Sequence, residues 1–237
     1  MDKHIILTIL SSCILTVLGL GPPFPGDDFI RIKELPPAAV IARNSGGLTL
    51  SCSMAGSPTP SVAWFKDGVH LAGTQDNPGG LGETWARLNL PCITEEDAGI
   101  YECRGEANGH QTTTSTKVDV IGHTHSGCIP RNRGGSAPKI TGWYSTVMIT
   151  SGLSVKLSCS VNDDAGKVNV VWKDAMGKEV KESDTVALHG HDLYINGVDW
   201  SHMGRFTCTA QNGFGVDMIS TFLYPLAPAF SDLSNMV

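Results

Sequence analysis

Residues 97–103 read Asp97-Ala98-Gly99-Ile100-Tyr101-Glu102-Cys103. A tyrosine two residues before a cysteine, following an acid and a glycine, marks a corner where the phenol hydroxyl bonds back to upstream backbone. Reading outward, Cys52 precedes this cysteine by about 50 residues, and Trp64 stands 12 residues after Cys52. The spacing recurs downstream as Cys159, Trp172 13 residues on, and Cys208. A disulfide joining strand B to strand F across two sheets, with an indole packed on it, needs that order and those intervals. The fold class is therefore all-β, two tandem immunoglobulin-like sandwiches.

The 237 residues have room for two such domains and a leader. Lys3, the apolar run Ile5 to Leu18 and the small residues Gly19 and Gly21 read as a secretory signal peptide over 1–21. The expected division continues with an extended N-terminal arm over 22–37, domain one over 38–121 and a Gly/Ser/Pro/His linker over 122–137. Domain two follows over 138–226, then a tail over 227–237. No other segment carries the run of about 18 apolar residues that a membrane helix needs. A secreted, extracellular protein is expected. The net charge of −6 gives no general attraction to nucleic acid or anionic lipid.

Alternation supports the repeat, because successive strand residues face opposite sides. Leu48, Leu50 and Cys52 share one face, as do Val62 with Trp64, Leu88 with Leu90, and Tyr101 with Cys103. Domain two repeats this with Val155, Leu157, Cys159; Val170, Trp172; Leu193, Ile195; and Phe206, Cys208. Trp64, Trp172, Tyr101 and Phe206 are expected core residues. In domain one Asp97 is expected to pair with an arginine such as Arg87 across the corner. In domain two His202 and Phe206 stand at the acid and tyrosine positions, so that corner is expected to rest on packing. The F–G turn Ala210-x-Asn212-x-x-Gly215 resembles the intermediate set of immunoglobulin domains.

Of seven cysteines, Cys13 falls in the leader. Six remain, and an oxidising compartment makes disulfides the expectation. Cys52–Cys103 and Cys159–Cys208 are two of them, each worth about 4 kcal/mol by loop-closure entropy. Cys92 in the E–F turn and Cys128 beyond strand G are the remaining pair. A bridge within the chain would staple the linker to domain one; a bridge between chains would make a dimer.

Little in the sequence points to catalysis. There is no nucleophile elbow, phosphate-cradling loop or His-Glu-x-x-His zinc motif, so an enzyme is not expected. No cofactor is expected. His123-x-His125 and His189-x-His191 have a spacing that shares a strand face but lack a convergent third ligand, so no metal is expected either. Trp85, Trp143 and Trp200 are not claimed by the cores, and tryptophans outside cores are enriched at binding hot spots. Trp143 and Tyr144, beside the linker, are the candidate binding pair.

A more specific likeness lies in the last third: Asp192-Leu193-x-Ile195, then Trp200-x-x-Met203-Gly204-x-Phe206-x-Cys208-x-Ala210-x-Asn212-x-x-Gly215, then Thr221-Phe222-x-Tyr224-Pro225. With Pro138-Lys139-Ile140 opening domain two, the chain resembles a family of secreted two-immunoglobulin proteins. That family includes the insect neural/ectodermal development factor and the nematode zwei-Ig proteins. The resemblance covers the expected mature chain, with its distinctive matches in domain two. It implies a binding protein that sequesters an insulin-like peptide hormone and dampens signalling through an insulin-type receptor. The alternative it implies is a recognition factor in neural development and axon maintenance, adhesion-like, with an immunoglobulin-family cell-surface protein as partner. The pair Cys92 and Cys128 is not part of the insect factor's pattern.

Overall fold

The computed structural model describes residues 28–122, 136–162 and 168–228. Each half buries its own apolar set. Leu50, Met54, Trp64, Ala86, Leu88, Tyr101 and Val118 pack around Cys52–Cys103. Ile140, Tyr144, Leu157, Trp172, Leu193, Ile195, Phe206 and Leu223 pack around Cys159–Cys208. The bridged Cα atoms lie 6.6 and 6.5 Å apart. The all-β fold and both expected core disulfides are as the spacing required.

In domain one, β1 (Phe29–Glu34), β3 (Leu48–Ser57) and β6 (Leu81–Leu90) form one antiparallel layer. The other layer runs in the order β2 (Ala39–Arg43), β8 (His110–Ile121), β7 (Gly99–Ala107), β4 (Ser61–Lys66) and β5 (Val69–Gly73). The expected arm over 22–37 is corrected here, because Phe29–Glu34 is a paired edge strand. Ile30 and Ile32 alternate with Arg31 and Lys33, so one side packs on the core while the other stays charged. The part of that arm before residue 28 lies outside the described residues.

Domain two contributes β9 (Lys139–Thr150), β10 (Val155–Leu157), β11 (Cys159–Asn162), β12 (Asn169–Lys173), β13 (Val186–His189), β14 (Asp192–Ile195), β15 (Gly204–Asn212) and β16 (Gly215–Leu226). The strands β10, β14 and β13 form a small sheet of their own. The remainder join domain one. Strand β9 pairs antiparallel with β6, so one sheet continues as β1-β3-β6-β9-β16-β15-β12.

The cause is visible in the connections. Domain two has β13 beside β14, whereas among the described residues of domain one no strand of its own lies on the outer edge of β6. An open edge exposes unpaired amides and carbonyls, and β9 satisfies them. Ser145 is the extra residue of a bulge between the pairs Thr84↔Tyr144 and Glu83↔Thr146. At that bulge β9 passes from β11 to parallel pairing with β16. The strand thereby serves both domains.

The two corners differ in their chemistry. The Tyr101 hydroxyl donates to the Asp97 carbonyl at 2.8 Å, as the sequence led one to expect. Arg87 does not pair with Asp97; its Nη2 lies 2.7 Å from Asp217 Oδ2 in domain two. Asp97 instead accepts from the amide and hydroxyl of Thr94, at 2.7 and 3.0 Å. Phe206 is buried at the other corner, but packing does not act alone. Asp199 accepts from the Ser201 amide at 2.8 Å, and His202 Nδ1 accepts from the Asp199 amide at 3.2 Å. Acid and partner have exchanged the ends of the same capping box.

Candidate functional site

The surface that both domains build together is the outer face of the joined sheet. Cross-strand pairing fixes which side chains share it. Leu81 stands opposite Met148, and Met148 opposite Tyr224. Glu83, Thr146, Phe222 and Arg205 form the next row. Along β16 the outward positions continue with Met218 and Val216, 63% and 59% exposed, while Ile219, Thr221 and Leu223 point into the core. Trp200, 53% exposed, packs edge-on against Tyr224 with centroids 5.8 Å apart. Aromatic and methionine side chains on a sheet leave an apolar strip open to a partner.

A stacked pair lies at the junction beside the strip. Trp85 and Trp143 face each other across β6 and β9, their rings 5.8 Å apart and 8° from parallel. The Arg87 guanidinium lies 5.3 Å over Trp143. It donates twice to the Ile140 carbonyl, at 2.9 and 2.7 Å, as well as to Asp217. Asp217 Oδ2 also accepts from the Ile140 amide at 2.9 Å. These charge-assisted bonds fix domain two's first strand and last hairpin to one side chain of domain one.

A second anchor lies behind the sheet. Tyr144 is fully buried and its hydroxyl donates to the Asp76 carbonyl at 2.7 Å. Burial pushes its pKa up to about 12, against small opposing effects of Ser158 and Lys156. Lys156 bridges Asp76 and Asp192. Burial alone would lower its pKa, but the hydrogen bonds to both carboxylates outweigh that and hold it above the ordinary range. Gly142 lets the strands approach this closely: an added Cβ would stand 2.4 Å from the Gly73 carbonyl carbon.

Comparison with known proteins places this geometry. Residues 31–106 match the immunoglobulin domain family, and residues 138–224 match the immunoglobulin I-set domain. Zwei Ig domain protein zig-4 of Caenorhabditis elegans is 34% identical over 199 residues, covering 77% of this chain and 75% of that protein. The chain belongs to the zwei Ig domain family. Another nematode member, zig-2, is 28% identical over 74% of this chain and 77% of its own length. Neural/ectodermal development factor IMP-L2 of Drosophila melanogaster is 22% identical, over 84% of this chain and 78% of that protein. The crystal structure of IMP-L2 superposes with a TM-score of 0.71 at 21% identity, covering 85% of this chain and 96% of that one, a likeness of fold.

The structure separates the two residues singled out in this zwei Ig protein. Trp143 is half-buried at the junction, where it stacks on Trp85 and packs against the domain-two core beside Cys159. Tyr144 presents no surface to a partner and works as a core and interdomain residue, because the neighbouring positions of a strand point opposite ways. Val216, Met218, Phe222 and Tyr224 were missed by the sequence reading. Their signal was present: Gly215 to Pro225 carries apolar residues at both odd and even positions, so the strand has two apolar faces and only one core to bury.

The remaining candidates fall outside any reacting centre. His189 stacks edge-on with Tyr194 at 5.3 Å, and the His191 carbonyl accepts from Trp172 Nε1 at 2.9 Å. His123 and His125 lie outside the described residues. No three His, Cys, Asp or Glu side chains converge as a metal site among the described residues. No helix among them is long and apolar enough to cross a membrane. Cys92 is disulfide-bonded, and its expected partner Cys128 lies outside the described residues.

Proposed function

We propose that this chain is a secreted binding protein that captures an insulin-like peptide on the outer face of the joined sheet and so dampens insulin-type receptor signalling. The observation that carries the reading is the apolar strip crossing the domain boundary, from Leu81 through Met148, Tyr224 and Phe222 to Met218 and Val216. Small folded hormones present apolar receptor-binding surfaces, and a broad sheet face of this composition can cover one without a deep pocket. Membership of a family of two-immunoglobulin proteins, with likeness to the insect factor, supports the same choice. Catalysis has no part in it.

Calorimetric titration of the full chain with insulin-like peptides tests the proposal. Saturable one-to-one binding is expected. Met218→Glu, which places a charge on the most exposed part of the strip along β16, is expected to weaken it by at least about tenfold, or about 1.4 kcal/mol. Absence of heat and of competition at micromolar peptide rejects capture of these hormones. That outcome would favour the second role, recognition of an immunoglobulin-family cell-surface protein in neural development.

A further inference from the structure

The opposite layer of domain one carries a second concave site. A cavity of about 370 Å³ opens on the outer face of β4, β5 and β7, beside the start of β8. It lies across the sandwich from the strip on β6 and β16, so the two surfaces are separate. Its shape follows from residue size. Ala63, small and 5% exposed, forms part of the lining between larger neighbours.

The wall mixes the apolar surface of Ala63 and Phe65 with polar side chains that are held in place. Arg104 lies 4.6 Å over the Phe65 ring and pairs with Glu102, while His70 meets the same ring edge-on at 5.5 Å. Gln111 donates to Glu106 at 3.1 Å, leaving its own carbonyl oxygen and the second Glu106 oxygen for a ligand. Burial keeps the pKa of His70 below its ordinary value, so the ring is neutral near pH 7 and both donates and accepts. Gln75 adds an amide whose side chain makes no hydrogen bond among the described residues. Most of these side chains stand on strands, which position groups more firmly than loops do.

The chemistry of the lining narrows the ligand. Glu106 disfavours an anion, Arg104 disfavours a cation, and a wholly apolar guest would leave the polar side chains set between the apolar surfaces without partners. A ligand whose groups donate and accept at once matches amides, a neutral imidazole and a guanidinium–carboxylate pair. We propose that this cavity is a binding site for a neutral saccharide unit, placed so that domain one can hold a glycan while the joined sheet holds its own ligand.

Titration of the full chain with the methyl glycosides of glucose, galactose, mannose and N-acetylglucosamine, followed by amide chemical shifts, tests this. Saturable shifts with a dissociation constant of about 1 mM for at least one glycoside are expected, centred on β4, β5 and β7. Gln75→Ala with Gln111→Ala, both at exposed positions, is expected to weaken that binding by at least about tenfold while leaving the rest of the spectrum in place. Arg104→Lys, which keeps the charge and loses the planar fork, is expected to weaken it as well. The assignment is overturned if no glycoside gives saturable shifts at about ten times that concentration. It is equally overturned if the shifts centre on the Trp85 and Trp143 face, or if the glutamine variant binds as tightly as the unaltered chain.

Discussion

Trp85 and Trp143 lie directly opposite each other on two strands from different domains, with their rings 5.8 Å apart and nearly parallel. A stacked pair at a strand junction reports whether the junction is closed. Trp143→Ala removes the stack and the surface beneath Arg87. The loss is expected at about 1–2 kcal/mol of stability, measured by urea unfolding, together with loss of the near-ultraviolet dichroism of the coupled indoles. An unchanged spectrum would mean that the rings do not stack in solution.

The junction also depends on close approach at Gly142. Gly142→Val puts side-chain atoms where the Gly73 carbonyl carbon and oxygen stand, so β9 cannot keep its place beside β6. Small-angle scattering is expected to show a longer particle, with both disulfide-stapled cores still folded by circular dichroism. Arg87→Ala, which removes the bonds to Ile140 and Asp217, is expected to act in the same direction at a cost of about 2–3 kcal/mol. A particle of unaltered length in both variants would contradict the strand-shared junction.

Alkaline pH should loosen the protein through its buried phenols. Burial pushes Tyr144 up to about 12, and burial with the nearby Asp97 and Asp67 carboxylates does the same for Tyr101. The folded state then holds its protons where the unfolded chain, with phenols near 10, releases them. The stability tied to these two residues is whole below about pH 10 and declines as pH rises toward about 12. Unfolding free energies measured across that range check this, and a flat profile would contradict it.

Phe206→Tyr copies domain one's corner into domain two. The added hydroxyl would lie near the His202 carbonyl, the counterpart of the Asp97 carbonyl that Tyr101 uses. A gain of about 1 kcal/mol is expected by thermal or urea unfolding, the net worth of one new hydrogen bond. A loss would mean that the corner lacks room for the hydroxyl.

Cys92 is disulfide-bonded, and a bridge to Cys128 within one chain is the expected arrangement. The Ile121 carbonyl at the end of β8 accepts from Asn44, and Ser45 donates to the Ile93 carbonyl, so the end of β8 and the E–F turn lie at the same pole of domain one. A monomer band is expected on a non-reducing gel for the unaltered chain and for Cys128→Ser alike. A band at twice the mass that collapses on reduction would establish the intermolecular bridge instead.

Much of the architecture was legible because it rests on local rules. The paired cysteines, the two tryptophans between them and the alternation around them name the same sheets from either domain. The edge strand Phe29–Glu34 was misread as an arm, since two isoleucines among charges look like a solvated segment until a neighbour's edge is known. Arg87 was assigned to Asp97, its usual partner across such a corner, whereas its true partner is 130 residues away in sequence.

The sequence by itself determined two immunoglobulin domains, both core disulfides and the tyrosine corner, because each is set by spacing within a single domain. Only the tertiary structure decided that the domains share a sheet, that Tyr144 is buried while Trp143 stacks, and that the outward side of β16 joins β6 in one apolar strip. Those outcomes depend on which open edge β9 finds and on the bulge at Ser145 that sets the phase of its side chains. Pairing between distant edges leaves no periodic trace in either strand alone.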